Sequence, residues 1–386
     1  MSETIKLDIG CGDRPLPGFI PVDQRFGLAA YPLDAADGSV DEIYASHILE
    51  HFGHGQVAAV LRDWVAKLKP GGLLRVAVPD FAVIARAYLE GQNLPVQGYV
   101  MGGQVDQWDH HGTIFDSDVL TEALADAGLV GISRWVSDQQ DCAALPISLN
   151  LQGNKPPETW PSVAAVLSCP RLGWNDFWGC ALESLAKCGI GLTKYTGAFW
   201  EQGITRAIKE ALVKNPEWIL TLDYDTVFTA SDIRNLQLAA LRNQHADAIA
   251  ALQSHRTNPT PLMTMAGDDG ANLNTVPIEA FDGDLARCRT AHFGLTLLRA
   301  SAIRDLPQPW FHGHPDPDGE WSDGRIDPDI AFWRAWEAAG HSLYVACRVP
   351  VGHIEVMVRW PGEDMGAIYQ HPTAFHTGGK PDKVWR

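Results

Sequence analysis

The sequence predicts an α/β protein built from two domains. Short apolar runs alternate with helix-length amphipathic segments throughout the chain, as they do in α/β folds. The chain has 386 residues, which is more than one ordinary hydrophobic core accommodates. Prolines 156, 157 and 161 mark residues 154–161 as a semi-rigid linker. We therefore expect a first domain over residues 1–153, a second over 162–360 and a tail over 361–386.

Composition limits the class of protein. Hydrophobic residues make up 46% and charged residues 20% of the chain, as in globular proteins. No apolar run approaches the roughly 20 residues that cross a bilayer, and the N-terminus lacks signal-peptide features. The seven cysteines form no Cys-x-x-Cys pair. These features predict a cytoplasmic protein with reduced thiols and no membrane span. A net charge of −17 argues against general nucleic-acid binding.

The apolar periodicity predicts elements in both domains. The first domain has expected strands at residues 5–9, 19–23, 43–45, 73–78 and near 147–151, and a helix over 56–68 that Pro70-Gly71-Gly72 ends. The second has expected strands at 163–167, 218–225, 295–298 and 342–349, and helices over 202–213, 231–243 and 329–339.

A glycine turn follows the first strand, at Gly10-Cys11-Gly12. Glycines let the backbone turn sharply and approach a ligand closely. Asp23 ends the next predicted strand, where an acid accepts hydrogen bonds from ribose hydroxyls in dinucleotide-binding folds. A purely structural turn is the alternative interpretation of the glycines.

Longer motifs in the first domain extend this pattern. Leu7–Gly12, Val22-Asp23, Asp37–His51 and Leu68–Gly72 together resemble the class I S-adenosylmethionine-dependent methyltransferases over about residues 3–153. The resemblance implies a Rossmann-like fold with S-adenosylmethionine as cofactor. It implies cofactor-binding roles for Asp8, Gly10, Cys11, Gly12, Asp23, Ser46 and His47.

Two features of the first domain stay open. The interval between Asp23 and Asp37 is short, so the family's third strand is reduced and the adenine contacts are unassigned. Asp109, His110 and His111 form a polar cluster that is either a general base near neutral pH or a solvated loop.

Two carboxylates end an apolar run in the second domain. Asp223 and Asp225 flank Tyr224 directly after residues 218–222. On an extended backbone the i, i+2 spacing points both side chains the same way. Carboxylate oxygens suit Mg²⁺ or Mn²⁺, which in turn suit a diphosphate. The alternative is a strand that ends in a polar turn.

This pair resembles the Asp-x-Asp motif of GT-A glycosyltransferases. The tracts 294–299, 309–311, 327–336 and 351–354 follow the order seen in family-2-like members, over about residues 162–360. The resemblance implies a GT-A fold, a nucleoside-diphosphate sugar as donor, and Mn²⁺ or Mg²⁺ held by Asp223, Asp225 and His353. It implies a general base at Asp329 and a nucleotide-sugar site at Cys169, Arg171, Arg206 and Asp223. Pro328 departs from the family, which commonly has Glu there.

The helix that begins near Asp329 has one apolar face. Phe332, Trp333 and Trp336 share that face with Asp329 through i, i+3, i+4 and i+7 spacing. An inward face brings Asp329 to the edge of the core, where desolvation raises the pKa of a carboxylate. A purely structural role is the alternative, and it is compatible with catalysis by Asp329. In that role Asp327 is the N-cap, and Asp329 lies in the first helical turn.

The sequence thus predicts a bifunctional transferase. The second domain transfers a sugar to a hydroxyl on a glycan, lipid-linked sugar, protein or modified nucleic-acid base, and the first methylates the product or its precursor. One rival makes the first domain a non-catalytic docking module. Another makes the second a phosphoryl-transfer or hydrolase domain with Asp223 as nucleophile. The tail is expected to be a flap or an interdomain strap.

Overall fold

The computed structural model describes residues 4–137, 139–256, 260–267, 270–273, 275–322 and 324–385. The chain divides into two compact units, Met1–Trp160 and Pro161–Arg386. Each unit combines a large β-sheet with helices, so the α/β fold class is confirmed. No helix within the described ranges is long and apolar enough to cross a membrane.

The first unit contains a six-stranded sheet in the order β2-β1-β3-β4-β6-β5. Strands β1 to β4 pair parallel with one another, whereas β6 is antiparallel to both β4 and β5. The strands are β1 Lys6–Ile9, β2 Ile20–Val22, β3 Val40–Ser46, β4 Leu68–Pro79, β5 Val130–Arg134 and β6 Ser148–Asn154. The helices are α1 Val57–Lys67, α2 Phe81–Leu89, α3 Val96–Met101 and α4 Ser117–Asp126, with 3-10 turns at Gln24–Phe26, Leu49–His51 and Cys142–Ala144.

Helix α1 packs on this sheet through Val57, Val60, Leu61 and Trp64, the spacing that predicted it. The helix ends at Lys67, just before Pro70-Gly71-Gly72 as expected, but the next strand begins earlier than predicted, because β4 starts at Leu68 and includes these residues. Leu68 is fully buried opposite Val40, and a register shift in the pairing with β3 accommodates the irregular backbone. Burial therefore extends the strand past its unfavourable residues.

The short interval after Asp23 has a simple structure. Residues 23–39, all of them described, contain one 3-10 turn and no strand, so β2 forms the edge of the sheet. This confirms the reduced third strand that the sequence indicates.

The second unit contains a seven-stranded sheet in the order β13-β16-β11-β15-β9-β7-β8. Its strands and those of the smaller sheets are β7 Val163–Cys169, β8 Leu192–Thr196, β9 Trp218–Leu222, β10 Thr226–Val227, β11 Ala248–Leu252, β12 Met263–Thr264, β13 Leu285–Arg287, β14 Thr290–Ala291, β15 Leu295–Arg299, β16 Leu343–Pro350, β17 Gly352–His353, β18 Val358–Pro361 and β19 Ala367–Gln370. The helices are α5 Asn175–Cys188, α6 Trp200–Val213, α7 Ala230–Arg242, α8 Ala300–Asp305, α9 Pro328–Ala338 and α10 Pro372–Gly378, with a 3-10 turn at Ile278–Phe281.

Strand β9 delivers the paired aspartates to one edge of this sheet. All five of its residues are buried, between β15 and β7. After Leu222 the chain turns, and the amide of Thr226 donates to the carbonyl of Asp223 over 3.2 Å. Strand β10 then pairs antiparallel with β17, in a register that sets Thr226 opposite His353. This pairing brings the distant histidine beside the aspartates.

Aromatic packing anchors α9 near the same edge. Trp333 stacks on Phe293 with ring centroids 5.0 Å apart, and its indole donates to the carbonyl of Ala291 over 2.6 Å. The segment held in this way continues to Gly294, whose carbonyl accepts the amide of Asp223 over 3.2 Å. The helix that carries Asp329 is therefore fixed against the chain that flanks the Asp223 turn.

The described tail residues fold as part of the second unit. Strands β18 and β19 form a hairpin, and Trp360 packs on Phe375 of α10 with ring centroids 5.7 Å apart. His371 Nε2 lies 2.7 Å from Glu355 Oε1, which joins the tail to the chain that follows His353.

Candidate functional site

The most distinctive group in the second unit is the carboxylate of Asp225. Its side chain is only 2% exposed. One oxygen, Oδ2, contacts the guanidinium of Arg256 and lies 3.5 Å from His353 Nε2. The other, Oδ1, is buried without a hydrogen-bond partner among the described residues. A buried acceptor left unpaired is costly, so this oxygen is suited to a cation that the site would hold.

His353 is oriented as a metal-binding histidine would be. Its Nδ1 lies 3.0 Å from the carbonyl of Ser254, which fixes the tautomer and turns Nε2 toward Asp225. Arg256 Nε donates to that Nε2 over 2.9 Å. Burial disfavours the charged imidazole most, but hydrogen bonds to Asp225 and to the Ser254 carbonyl, together with the negative charge of Asp225, outweigh it and raise the pKa of His353. The carboxylate therefore attracts positive charge strongly.

Asp223 is half-buried, and its Oδ1 accepts the backbone amide of Tyr224 over 2.9 Å. Burial, followed by repulsion from Asp225, raises the pKa of Asp223 to about 6. The ligand atoms of Asp223, Asp225 and His353 do not all lie within 4.8 Å of one another. The structure thus brings Asp225 and His353 together, whereas the carboxylate of Asp223 bonds to the backbone of the turn that follows β9.

Arg256 is a site residue that the sequence reasoning missed. Its side chain is 47% exposed, and its guanidinium contacts both Asp225 and His353. The guanidinium therefore supplies positive charge at the position where a metal ion would bind. Arg256 lies in no recognisable motif. Its contact with His353 arises only because β17 pairs with β10 in the fold, so the sequence alone did not indicate this residue.

We expect Arg256→Met to destabilise the metal-free protein by about 1–3 kcal/mol, because it leaves the buried Asp225 carboxylate unpaired. Mn²⁺ should restore the melting temperature by a larger increment than in the wild-type protein. Melting curves with and without Mn²⁺ measure both effects. Lys187→Met is the matched control, since Lys187 pairs with Glu183 on an exposed helix surface. An equal increment in Arg256→Met and the wild-type protein would contradict this role.

A cavity of about 580 Å³ opens beside Asp225. Its volume suits a small-molecule or cofactor site. It lies beyond the ends of β7 and β9, where open α/β sheets bind ligands. The lining residues are Leu172, Gly173, Trp174, Tyr224, Asp225, Arg256, Ile354, Glu355, Val356, His371 and Pro372.

Three other predicted nucleotide-sugar residues, Cys169, Arg171 and Arg206, are not among the residues that line this cavity. Cys169 is buried, with Sγ 3.4 Å from Thr196 Oγ1, and holds the end of β7 against β8. Arg171 is exposed. Arg206 is exposed on α6, close enough to the Tyr195 phenol to act on it electrostatically. The lining begins at Leu172, directly after Arg171.

Asp329 lies in the first turn of α9 and is half-buried. Its Oδ1 accepts the amide of Ile330 over 2.9 Å, and burial raises the pKa of this carboxyl. Asp327 occupies the N-cap position but makes no side-chain hydrogen bond to the helix. Its carboxylate accepts from Arg325 Nε over 2.9 Å instead. The predicted N-cap position of Asp327 and the place of Asp329 in the first helical turn are therefore confirmed, although the Asp327 side chain makes no capping hydrogen bond.

In the first unit the glycine turn and Asp23 form one cradle. Gly10 and Gly12 have φ of 72° and 57°, and a Cβ on Gly10 would lie 2.8 Å from Ile48. The amide of Gly12 donates to Asp23 Oδ2 over 3.0 Å, and that of Arg25 to Oδ1 over 2.9 Å. A carboxylate has about four lone-pair positions, so two remain for ribose hydroxyls. The Asp23 carboxylate can therefore accept two further hydrogen bonds.

Asp8 and Cys11 support this loop. Asp8 is 3% exposed, and its Oδ2 accepts the amide of Leu16 over 2.8 Å. Burial raises the pKa of Asp8. Burial, then the charges of Asp8 and Asp23, raise the pKa of the Cys11 thiol to about 11. Cys11 is therefore a neutral thiol near pH 7 rather than a nucleophile.

Ser46 is the last residue of β3 and His47 follows it, beside the glycine turn that follows the parallel neighbour strand β1. The Ser46 hydroxyl oxygen is buried. His47 has a φ of 52°, and its Nε2 lies 2.9 Å from Ser148 Oγ. A separate cavity of about 250 Å³ is lined by other residues of this unit, namely Ile5, Leu7, Ile20, Val22, Leu28, Ala29, Leu33, Asp34, Ala35 and Ser39.

The three members of the predicted Asp109-His110-His111 cluster separate in the structure. Asp109 accepts the amides of Gly103 and Val105, and His110 is exposed. His111 is turned inward, and burial lowers the pKa of its imidazole.

No protein-family model matches this sequence, and no curated protein matches it significantly. Among solved structures, A197 from STIV shares 14% identity with a TM-score of 0.36, covering 54% of this chain and 94% of that one. The structure of GalNAc-T7 with UDP, GalNAc and Mn²⁺ shares 10% identity with a TM-score of 0.36. That match covers 62% of this chain, which spans about half (53%) of the GalNAc-T7 chain.

A SAM-dependent methyltransferase from Thermotoga maritima shares 16% identity with a TM-score of 0.26, covering 40% of this chain and 84% of that one.

Proposed function

We propose that the second unit is a metal-dependent glycosyltransferase and that the first is an S-adenosylmethionine-dependent methyltransferase. The observation that supports the first part is Asp225, a buried carboxylate with one unpaired oxygen, beside His353 and at the wall of a 580 Å³ cavity. The glycosyl-transfer site would be built mainly from residues 162–360, with His371 and Pro372 of the tail also lining its cavity, and the methyl-transfer site from residues 1–153.

Asp225 and His353 would hold Mn²⁺ or Mg²⁺, with Asp223 as a further ligand or as a contact to the donor sugar nucleotide. When bound, the ion supplies the counter-charge for a departing nucleoside diphosphate. Arg256, released from Asp225, would then be free to donate to phosphate oxygens in the same cavity. Arg171 and Arg206 add positive charge on the exposed surface of this unit.

Asp329 would remove the proton of the acceptor hydroxyl. Its burial raises the pKa and so strengthens it as a base relative to an exposed aspartate. The packing of Trp333 on Phe293 holds its helix in place. The acceptor is a hydroxyl compound: a glycan, lipid-linked sugar, protein or modified nucleic-acid base.

Calorimetry with uridine and guanosine diphosphates tests the donor site. The wild-type protein should bind at least one of these nucleotides in the presence of Mn²⁺, and this binding should disappear in excess chelator. Equal binding under both conditions would contradict a site built around Asp225 and His353.

In the first unit, Gly10, Gly12 and Asp23 would bind S-adenosylmethionine, with Ser46 and His47 lining the methyl-donor pocket. The support is the cradle in which Asp23 retains free lone pairs. Joining the two activities in one chain would keep an intermediate at raised local concentration. A non-catalytic docking module is the second candidate, favoured by the absence of a strand within residues 23–39.

We expect Asp23→Ala to weaken S-adenosylmethionine binding by about 1.5–3 kcal/mol, or about 10- to 150-fold, because the ribose loses a charged acceptor. Calorimetry on the full chain measures the change. Asp13→Ala is the control, since Asp13 is 85% exposed beside the same loop. Melting temperatures check that the loss of the Gly12 and Arg25 contacts has not unfolded the turn. If the wild-type protein does not bind S-adenosylmethionine at millimolar concentration, the first unit is better interpreted as a non-catalytic docking module.

A further inference from the structure

A second carboxylate without a partner lies in the first unit. Glu50, in the 3-10 turn that follows β3, is 1% exposed. Neither of its carboxylate oxygens has a hydrogen-bond partner among the described residues, although His47 Nδ1 lies 3.3 Å from Oε1. A buried carboxylate in this state is costly unless a cation accompanies it.

Two histidines converge on this carboxylate. One ligand atom each of Glu50, His51 and His111 all lie within 4.8 Å of one another. His51 Nδ1 is 2.9 Å from the carbonyl of Trp108, and His111 Nδ1 is 3.1 Å from the carbonyl of Tyr99. Each imidazole therefore has Nδ1–H engaged and the lone pair of Nε2 free, the outer-shell arrangement of metal-binding histidines.

Backbone contacts fix the two segments against each other. The amides of Gly112 and Thr113 both donate to the carbonyl of Glu50, over 2.7 and 3.2 Å. Thr113 Oγ1 donates to the carbonyl of Phe52 over 2.7 Å. A Cβ on Gly112 would lie 2.9 Å from Gly53 Cα, so only glycine permits this approach. The three side chains are thus held together by the backbone around them.

We propose that Glu50, His51 and His111 bind a first-row divalent transition-metal ion. Two imidazoles and one carboxylate suit Zn²⁺ and its neighbours, whereas Mg²⁺ and Ca²⁺ prefer oxygen ligands. Three protein ligands leave coordination positions open, as in catalytic rather than structural zinc sites. Both histidines are only half-buried, so the ion has access from solvent. This site stands whether or not the first unit transfers methyl groups.

Zinc titration by calorimetry tests the proposal on the full chain carrying Asp225→Asn, which removes a ligand of the other metal site. This protein should bind one equivalent of Zn²⁺. Glu50→Gln and His111→Gln, added singly, should each weaken binding at least 10- to 100-fold, the loss typical of outer-shell changes alone. His110→Gln is the matched control, because His110 is the exposed neighbour of His111. This variant should bind Zn²⁺ with the affinity of the parent.

Glu50→Gln carries the test even if a histidine variant folds poorly, because it keeps the side-chain shape and removes a buried charge. Its metal-free melting temperature should equal or exceed that of the parent, while the rise produced by Zn²⁺ should disappear. Unchanged Zn²⁺ affinity in Glu50→Gln, or absence of Zn²⁺ binding by the Asp225→Asn parent, would overturn the proposal.

Discussion

Asp225→Asn should lower divalent-cation-dependent turnover of a nucleotide-sugar by a factor on the order of 10²–10³, the loss typical of removing one electrostatic group from an active site. The substitution keeps the size of the side chain but neutralises the buried carboxylate that His353 and Arg256 face. Initial rates of donor hydrolysis and of transfer in saturating Mn²⁺ measure the loss. Asp305→Asn, an exposed aspartate at the end of α8, is the matched control.

Asp223→Asn should also be impaired, because Asp223 directly follows β9 and lies close enough to Asp225 that their repulsion adds to burial in raising the pKa of Asp223. Full activity of the wild-type protein in excess chelator would rule out the metal roles of Asp223, Asp225 and His353 together. Normal turnover in Asp225→Asn alone would place the ion elsewhere.

Asp329→Asn should slow sugar transfer by about 10²–10⁴-fold, the usual contribution of a positioned base, with donor and metal affinities near normal. If Asp329 acts only in its helix turn, Asp329→Ala should instead cost about 0.5–2 kcal/mol of stability with little change in rate. Turnover and melting temperature for both variants separate these roles. Near-wild-type turnover in Asp329→Asn would move the search to Asp327, or to Asp268 and Asp269, which lie outside the described residues.

The pH dependence of transfer provides a second readout for Asp329. A base must be ionised to accept a proton, and burial raises the pKa of this carboxyl above its ordinary value of 3.8. Turnover should therefore fall as the pH drops through that raised pKa. The acidic limb assigned to Asp329 should disappear in Asp329→Asn.

The elements of the second-unit site could be predicted where periodicity is strong. The apolar run of β9 is fully buried, and the Phe332, Trp333 and Trp336 face of α9 packs inward, as their patterns indicate. Both signals are local, because they depend on burial along one element. The fold class followed from the alternation of such elements over the whole chain.

Side chains brought together by distant segments could not be predicted in the same way. Arg256 reaches Asp225 from a loop after β11, and His111 reaches Glu50 across about 60 positions of sequence. The amides of Gly112 and Thr113 bond to the carbonyl of Glu50 across a similar sequence distance. The spacing of residues along the sequence does not indicate which distant segments pair in the fold. The start of β4 at Leu68 could not be predicted for the same reason, because Leu68 pairs with Val40 of β3.

The central claim is that the cavity beside Asp225 binds a nucleotide-sugar through a divalent cation. A screen of nucleoside-diphosphate sugars for hydrolysis, each with Mn²⁺ and with excess chelator, tests it most directly. We expect at least one donor to be hydrolysed by the wild-type protein in Mn²⁺, no hydrolysis in chelator, and severe loss in Asp225→Asn. Hydrolysis that persists in chelator, or is unchanged in Asp225→Asn, would contradict the claim.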